Sequence, residues 1–159
     1  MMTFDSLPDI PRAVTALAEW LACMQCILVV RRRYSGIHLA TISLGVLAVQ
    51  TIFLVVTGST PKILWFLCMF IAVALMYGFI RLCTEENAID AAYYCIRSFV
   101  IAEFAASLEW QLVCYVMRFT NLSFLAVRIL VLLAVFGVVY PVFWFLYRNR
   151  TGMLRPLNI

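Results

Sequence analysis

Apolar positions along this chain come in long runs, and each run approaches the roughly 20 helical residues needed to cross a hydrocarbon core of about 30 Å. Five such spans are read near Ala13–Val30, Ile37–Thr57, Lys62–Ile80, Ala91–Met117 and Leu122–Tyr147. Between them lie only "RRRYSG", "GSTP", "RLCTEENAID" and "RFTN". Connections this short cannot carry the chain across several helix diameters, so successive helices are antiparallel neighbours in one up-and-down bundle. The pattern predicts an all-α, polytopic membrane protein: one domain over residues 1–159, with five transmembrane helices and a cytoplasmic tail at 148–159. No internal repeat or low-complexity segment interrupts it, and nothing suggests the inverted repeats of many secondary transporters.

Composition narrows the class. The chain is 65% hydrophobic and 13% charged, with a mean hydropathy of +1.01, against roughly 45–50% apolar and about 25% charged residues in soluble domains. A soluble fold would expose several of these runs as apolar patches larger than monomers tolerate. The net charge of +4 is a topology signal; no basic stripe interleaved with aromatics marks a nucleic-acid partner. With the N-terminus outside, Arg31, Arg32, Arg33, Arg81, Arg148, Arg150 and Arg155 fall on the cytoplasmic side, while Arg12, Lys62 and Arg118 flank the outer ends. The bias of basic residues toward the inside thus predicts an N-out, C-in orientation, with "RRR" after the first span as its strongest marker. "MMTFDSLPDIPR" carries acids and prolines where a signal peptide is basic, so the first span reads as a retained helix. Pro11 suits its start, because a missing N–H costs nothing in a first turn.

Against this background the intramembrane polar residues stand out. At about 1.5 Å per residue, Glu103 falls at the middle of the fourth span, Glu109 roughly 7 Å and Arg128 roughly 10 Å toward the outside, and Glu19 and Gln50 about 4 Å from the midplane in the same half. Four helices therefore contribute to one outer polar layer. On the fourth helix, Glu103, Ser107, Gln111, Cys114 and Arg118 share one stripe, and Ser98, Ala102, Ala105 and Glu109 share another about 120° away. The expectation is a helix with two interfaces, the arc of Cys95, Phe99, Ala106, Trp110, Val113 and Met117 facing lipid. Small residues on the second stripe let a neighbouring backbone approach.

A charge at mid-bilayer costs roughly 2.5–3.5 kcal/mol even on the gentler insertion scale, so each acid needs a partner, a proton or water. Two readings follow. In one, Glu109 pairs with Arg128 and a protonated Glu103 bonds to Ser or Gln, locking the bundle. In the other, Glu19, Gln50, Glu103, Ser107, Glu109, Gln111 and Arg128 line an outward-facing pocket that binds a ligand.

Other residues suggest less. Arg97 reads as snorkelling or meeting Asp90. Cys23 and Cys26 form a C-x-x-C inside an apolar helix without a βαβ context, and read as small packing residues like the dispersed Cys68, Cys83, Cys95 and Cys114. His38 reads as an interfacial anchor, and Trp20, Trp65, Trp110 and Trp144 define no cofactor box. Pro141 frees a carbonyl one turn earlier, for a bend or a hinge. No H-E-x-x-H, G-x-S-x-G or P-loop is present, so no enzyme activity, metal or cofactor is expected.

"LPDIPRAVTALAEWLAC" at residues 7–23, "RRR" at 31–33 and "AEFAASLEWQL" at 102–112 resemble the membrane-embedded N-terminal region of bacterial sensor histidine kinases with GHKL-type ATPase domains, which are related in architecture to the peptide-sensing kinases of quorum-sensing systems. The resemblance implies a multi-helix sensor in the cytoplasmic membrane of a bacterium, part of a two-component system, leading into a phosphoacceptor helix and an ATP-binding domain. It places Glu19, Trp20, Glu103, Glu109, Trp110 and Gln111 in recurrent stretches. After Tyr147 only "RNRTGMLRPLNI" follows, so the expectation is a truncated or split sensor, or a free-standing module. Its partners would be the lipid bilayer, a second copy in a homodimer, and a cytoplasmic kinase domain or response pathway. The alternatives are a small transporter or substrate-binding subunit with Glu103 as proton or cation site, and a structural partner of another membrane protein docking through the small-residue stripe.

Overall fold

The computed structural model describes residues 11–59, 61–120 and 123–154. They form five helices: α1 (Arg12–Val29), α2 (Ile37–Val56), α3 (Lys62–Cys83), α4 (Ala88–Phe119) and α5 (Phe124–Leu154), with one 3-10 turn at Thr57–Ser59. There is no strand among the described residues, only one isolated bridge. All five helices are long and apolar enough to cross a membrane, as the runs in the sequence require. Large apolar side chains cover the outside, among them Ile52, Phe66, Phe70, Ile96 and Leu133, a surface suited to lipid and not to water.

Prolines open two of the helices. Pro11 and Pro61 hold extended ψ values of 124° and 149° just before α1 and α3, and the carbonyl of Pro11 accepts the Val14 N–H at 2.9 Å. Gly36, immediately before α2, has φ +62, a left-handed conformation that a side chain would strain. The helices do not stop where the apolar runs stop. α4 starts at Ala88, three residues ahead of the run, and α5 stays helical past its apolar stretch Phe124–Leu146 as far as Leu154. Backbone hydrogen bonding continues as long as nothing breaks it, and lipid does not define its end. Thus part of the expected tail at 148–159 is helix, and residues 155–159 lie outside the described residues. α5 is continuous through Pro141.

The bundle is organised around α1, which touches each of the other four helices. Its buried residues are mostly small: Thr15, Ala16, Ala18, Ala22, Cys23 and Cys26. They meet the small face of α4, where Ala102, Ala105 and Ala106 are buried in one cluster with Ala18, Ala22, Val127, Val131 and Val139. A second cluster joins α1 to α2, α3 and α4 through Cys23, Cys26, Ile27, Leu39, Met76, Phe79, Ile80 and Cys95. Close backbone approach over small residues is how helices gain packing in lipid, where burial of apolar surface drives nothing.

The buried face of α4 corrects the wheel drawn from sequence. Ala91, Cys95, Ser98, Ala102, Ala105 and Glu109 form a regular heptad-like row, flanked by Ile101, Ala106 and Val113. Cys95, Ala106 and Val113, assigned above to the lipid-facing arc, are therefore inside. The other stripe is no full interface: Gln111 and Arg118 are exposed, while Glu103, Ser107 and Cys114 are half-buried. Small residues set the packing face, and the stripe of polar residues marks its edge.

At one end of the bundle the α1–α2 and α3–α4 connections pair with each other. Arg33 N–H donates to the Cys83 carbonyl at 2.9 Å and Glu85 N–H to the Arg31 carbonyl at 3.1 Å, an antiparallel bridge centred on Arg32 and Thr84. Arg31 and Glu85 add an ion pair at 2.7 Å.

Candidate functional site

Polar side chains inside the bundle make contacts from α1 outward. Glu19 follows Thr15 and precedes Cys23 and Cys26 on the buried face of α1, and Gln50 lies with Leu39, Ser43 and Leu54 on that of α2. The two faces meet, and Gln50 Nε2 donates to Glu19 Oε2 at 2.5 Å. Both side chains are buried. About two turns along the same interface, the Trp20 indole N–H lies 3.0 Å from Ser43 Oγ and 2.9 Å from the Ser43 carbonyl. Ser43 Oγ donates in turn to Met24 Sδ at 3.2 Å.

The α1–α5 contact is also polar. Tyr140 Oη donates to the Ala18 carbonyl at 2.7 Å, and Gln25 Nε2 donates to the Tyr140 carbonyl at 2.6 Å. Sequence reasoning passed over both residues. Their acceptors are backbone carbonyls, which carry no residue signature; the available signal was that a tyrosine or glutamine at membrane depth must find an acceptor somewhere. Ser98 Oγ donates to the Ala22 carbonyl at 3.4 Å, joining α4 to α1.

Between α4 and α5, Arg128 Nε stands 3.7 Å from Glu109 Oε1. The Glu109 side chain is fully buried and that of Arg128 is 17% exposed. Neither carboxylate oxygen has a hydrogen-bond partner, so the attraction is Coulombic without a bond at good geometry. The Arg128 guanidinium lies over the Phe124 ring, 5.6 Å from its centroid.

The polar layer read from depth is thus two separate pairs, Glu19–Gln50 and Glu109–Arg128, while Glu103 is half-buried and belongs to neither. Ser107 is half-buried and Gln111 exposed. Glu19 and Gln50 line a cavity of about 10 Å³ with Trp20, Cys23, Val46, Met76 and Phe79, on the scale of a single water. Glu103, Ser107, Glu109, Gln111 and Arg128 do not line it. Glu19 Oε1 and Gln50 Oε1 have no hydrogen-bond partner, so this cavity offers two acceptors and calls for a donor. Among the described residues no group of three His, Cys, Asp or Glu side chains is placed to hold a metal ion. Cys23 and Cys26 are buried free thiols.

No protein-family model, curated protein or solved structure matches this chain. Of the three stretches that carry the resemblance, residues 7–10 lie outside the described residues.

Proposed function

We propose that this chain is a membrane-embedded signal-sensing module of a split or truncated GHKL-type sensor kinase, oriented N-out and C-in in a bacterial cytoplasmic membrane. A ligand is held among the buried polar groups, and helix movement is the output. The observation that carries this reading is α5. It is joined to α4 at Arg128 and to α1 at Tyr140, and it continues as helix beyond its apolar stretch to Leu154. A displacement of its upper half relative to α1 and α4 is therefore transmitted along one rod to the far face. The ligand supports such a shift only by its differential affinity for the two packings.

The test is a neighbouring reading frame encoding a phosphoacceptor His and an ATP-binding domain, whose product is purified with this chain. Autophosphorylation that changes when the α5 contact is cut by Tyr140→Phe supports the proposal. Solute uptake into vesicles that Glu103→Gln abolishes, without such a kinase, replaces it with the transporter reading.

A further inference from the structure

The Glu19–Gln50 contact is closed on one side and open on the other. One amide N–H satisfies Glu19 Oε2, while Glu19 Oε1 and Gln50 Oε1 remain as unpartnered acceptors on buried side chains. No ion pair reaches Glu19 among the described residues. Unpaired acceptors in a low-dielectric interior are costly, and a donor placed there recovers that cost.

The cavity beside them has an apolar neighbour. Val46 and Gln50 also line a crevice of about 220 Å³ between α2 and α3, completed by Ile42, Gly45, Val49 and Leu75. Val49 is itself largely exposed, so the crevice opens toward lipid and not along the bundle axis. Gly45 keeps it clear, since a Cβ there would meet nothing within 4 Å. A volume of about 220 Å³ lies below the roughly 300–1,000 Å³ of pockets for drug-sized molecules, so the occupant is slim.

We infer that the α2–α3 crevice takes up, from the bilayer, an unbranched apolar molecule ending in an ammonium or similar hydrogen-bond donor, its head on Glu19 and Gln50 and its tail along Ile42, Gly45, Val49 and Leu75. A cationic head complements the acidic end, and the tail meets only apolar side chains. An anionic head would add a second negative charge beside Glu19 and leave both acceptors unmet. The binding stands without the sensing proposal and rests on it only in making the occupant a signal.

The experiment is photolabelling of the purified full chain in nanodiscs with octylamine carrying a diazirine at the end of its tail. The expected label falls on Ile42, Val49 or Leu75, is competed by octylamine, and is not competed by octanoate or by octyltrimethylammonium, which lacks an N–H. Gly45→Leu, whose Cβ would meet nothing within 4 Å and whose side chain would occupy the crevice, should abolish it. Glu19→Gln should weaken competition several-fold, as expected when a hydrogen bond to a charged acceptor becomes one to a neutral amide. Label spread over lipid-facing positions such as Ile52 and Phe70, or unaffected by octylamine, overturns the inference and leaves a single water in the cavity. Equal competition by octyltrimethylammonium overturns the donor requirement on the wild-type protein alone, whatever the variants do. Specific labelling with no effect on kinase output would instead retire the sensing proposal and keep the site.

Discussion

Arg128→Gln probes how the fourth and fifth helices hold each other. At 3.7 Å and an effective dielectric of about 20, the bare attraction between Arg128 and Glu109 is about 4.5 kcal/mol. Desolvation opposes it by several kcal/mol per ion, so the pair contributes little net stability, yet removing one partner strands the other. The two losses are unequal. Without Arg128, Glu109 is fully buried with neither oxygen hydrogen-bonded, and the cost falls in the range of about 3–5 kcal/mol seen when a buried pair is broken. Without Glu109, Arg128 keeps its 17% exposure and the Phe124 ring, a cation–π contact of about 0.5–2 kcal/mol, so Glu109→Gln costs less by about that amount. The double variant, with two neutral amides, should recover about 2–3 kcal/mol relative to the sum of the singles. The assay is equilibrium unfolding of the four proteins in one detergent, followed by helical circular dichroism. Losses additive within about 0.5 kcal/mol, or Glu109→Gln as the costlier single change, would refute the reasoning.

Tyr140→Phe, which removes the hydroxyl on the Ala18 carbonyl, should cost about 0.6 kcal/mol and at most about 1.7, the range measured for hydrogen bonds between membrane helices; a larger loss by the same unfolding assay means that the ring has moved. Ala102→Leu, at the fully buried α1–α4 contact, should destabilise by about 1–3 kcal/mol through overpacking, whereas Val100→Leu, on the exposed side of the same helix, should leave the unfolding midpoint unchanged. Orientation is read by a membrane-impermeant maleimide on intact cells: Ser123→Cys, at the exposed start of α5, should label directly and Arg33→Cys only after permeabilisation. The reverse pattern turns the topology over. Arg31→Gln, which breaks an exposed ion pair with Glu85, should change stability by about 1 kcal/mol or less, and a larger loss would show that the paired loops depend on that side chain.

The five helices were legible because a run of about 20 apolar residues has one use in a chain this short of charge. Depth along the helix axis was legible too: it groups Glu109 with Arg128 and Glu19 with Gln50, and these residues face each other. The angle around each axis was harder to read. In α4 a wheel separates Glu103 from Glu109 by 120° but does not say which of them points inward when apolar residues lie on every side. Ala102, Ala105 and Ser98 held that information, since in lipid the close-packed face is the small one. Helix ends were misplaced at α4 and α5 because hydropathy marks where lipid stops and not where the backbone stops bonding. Gln25 and Tyr140 escaped notice because their acceptors are main-chain atoms that every residue possesses.

The central place of α1 has a consequence for how the protein is made. α1 precedes its four neighbours on the chain, yet half of it is enclosed by them, and its fully buried Glu19 depends on a residue in α2. A ribosome therefore delivers α1 ahead of the four helices that enclose it, and α5, whose Tyr140 reaches back to Ala18, after α2, α3 and α4. Until α2 arrives, Glu19 on the flank of α1 is without its Gln50 partner. Stalling synthesis between α1 and α2 would leave that carboxyl face exposed, whereas a stall after α3 would leave it covered, since the residues around it lie on α1, α2 and α3.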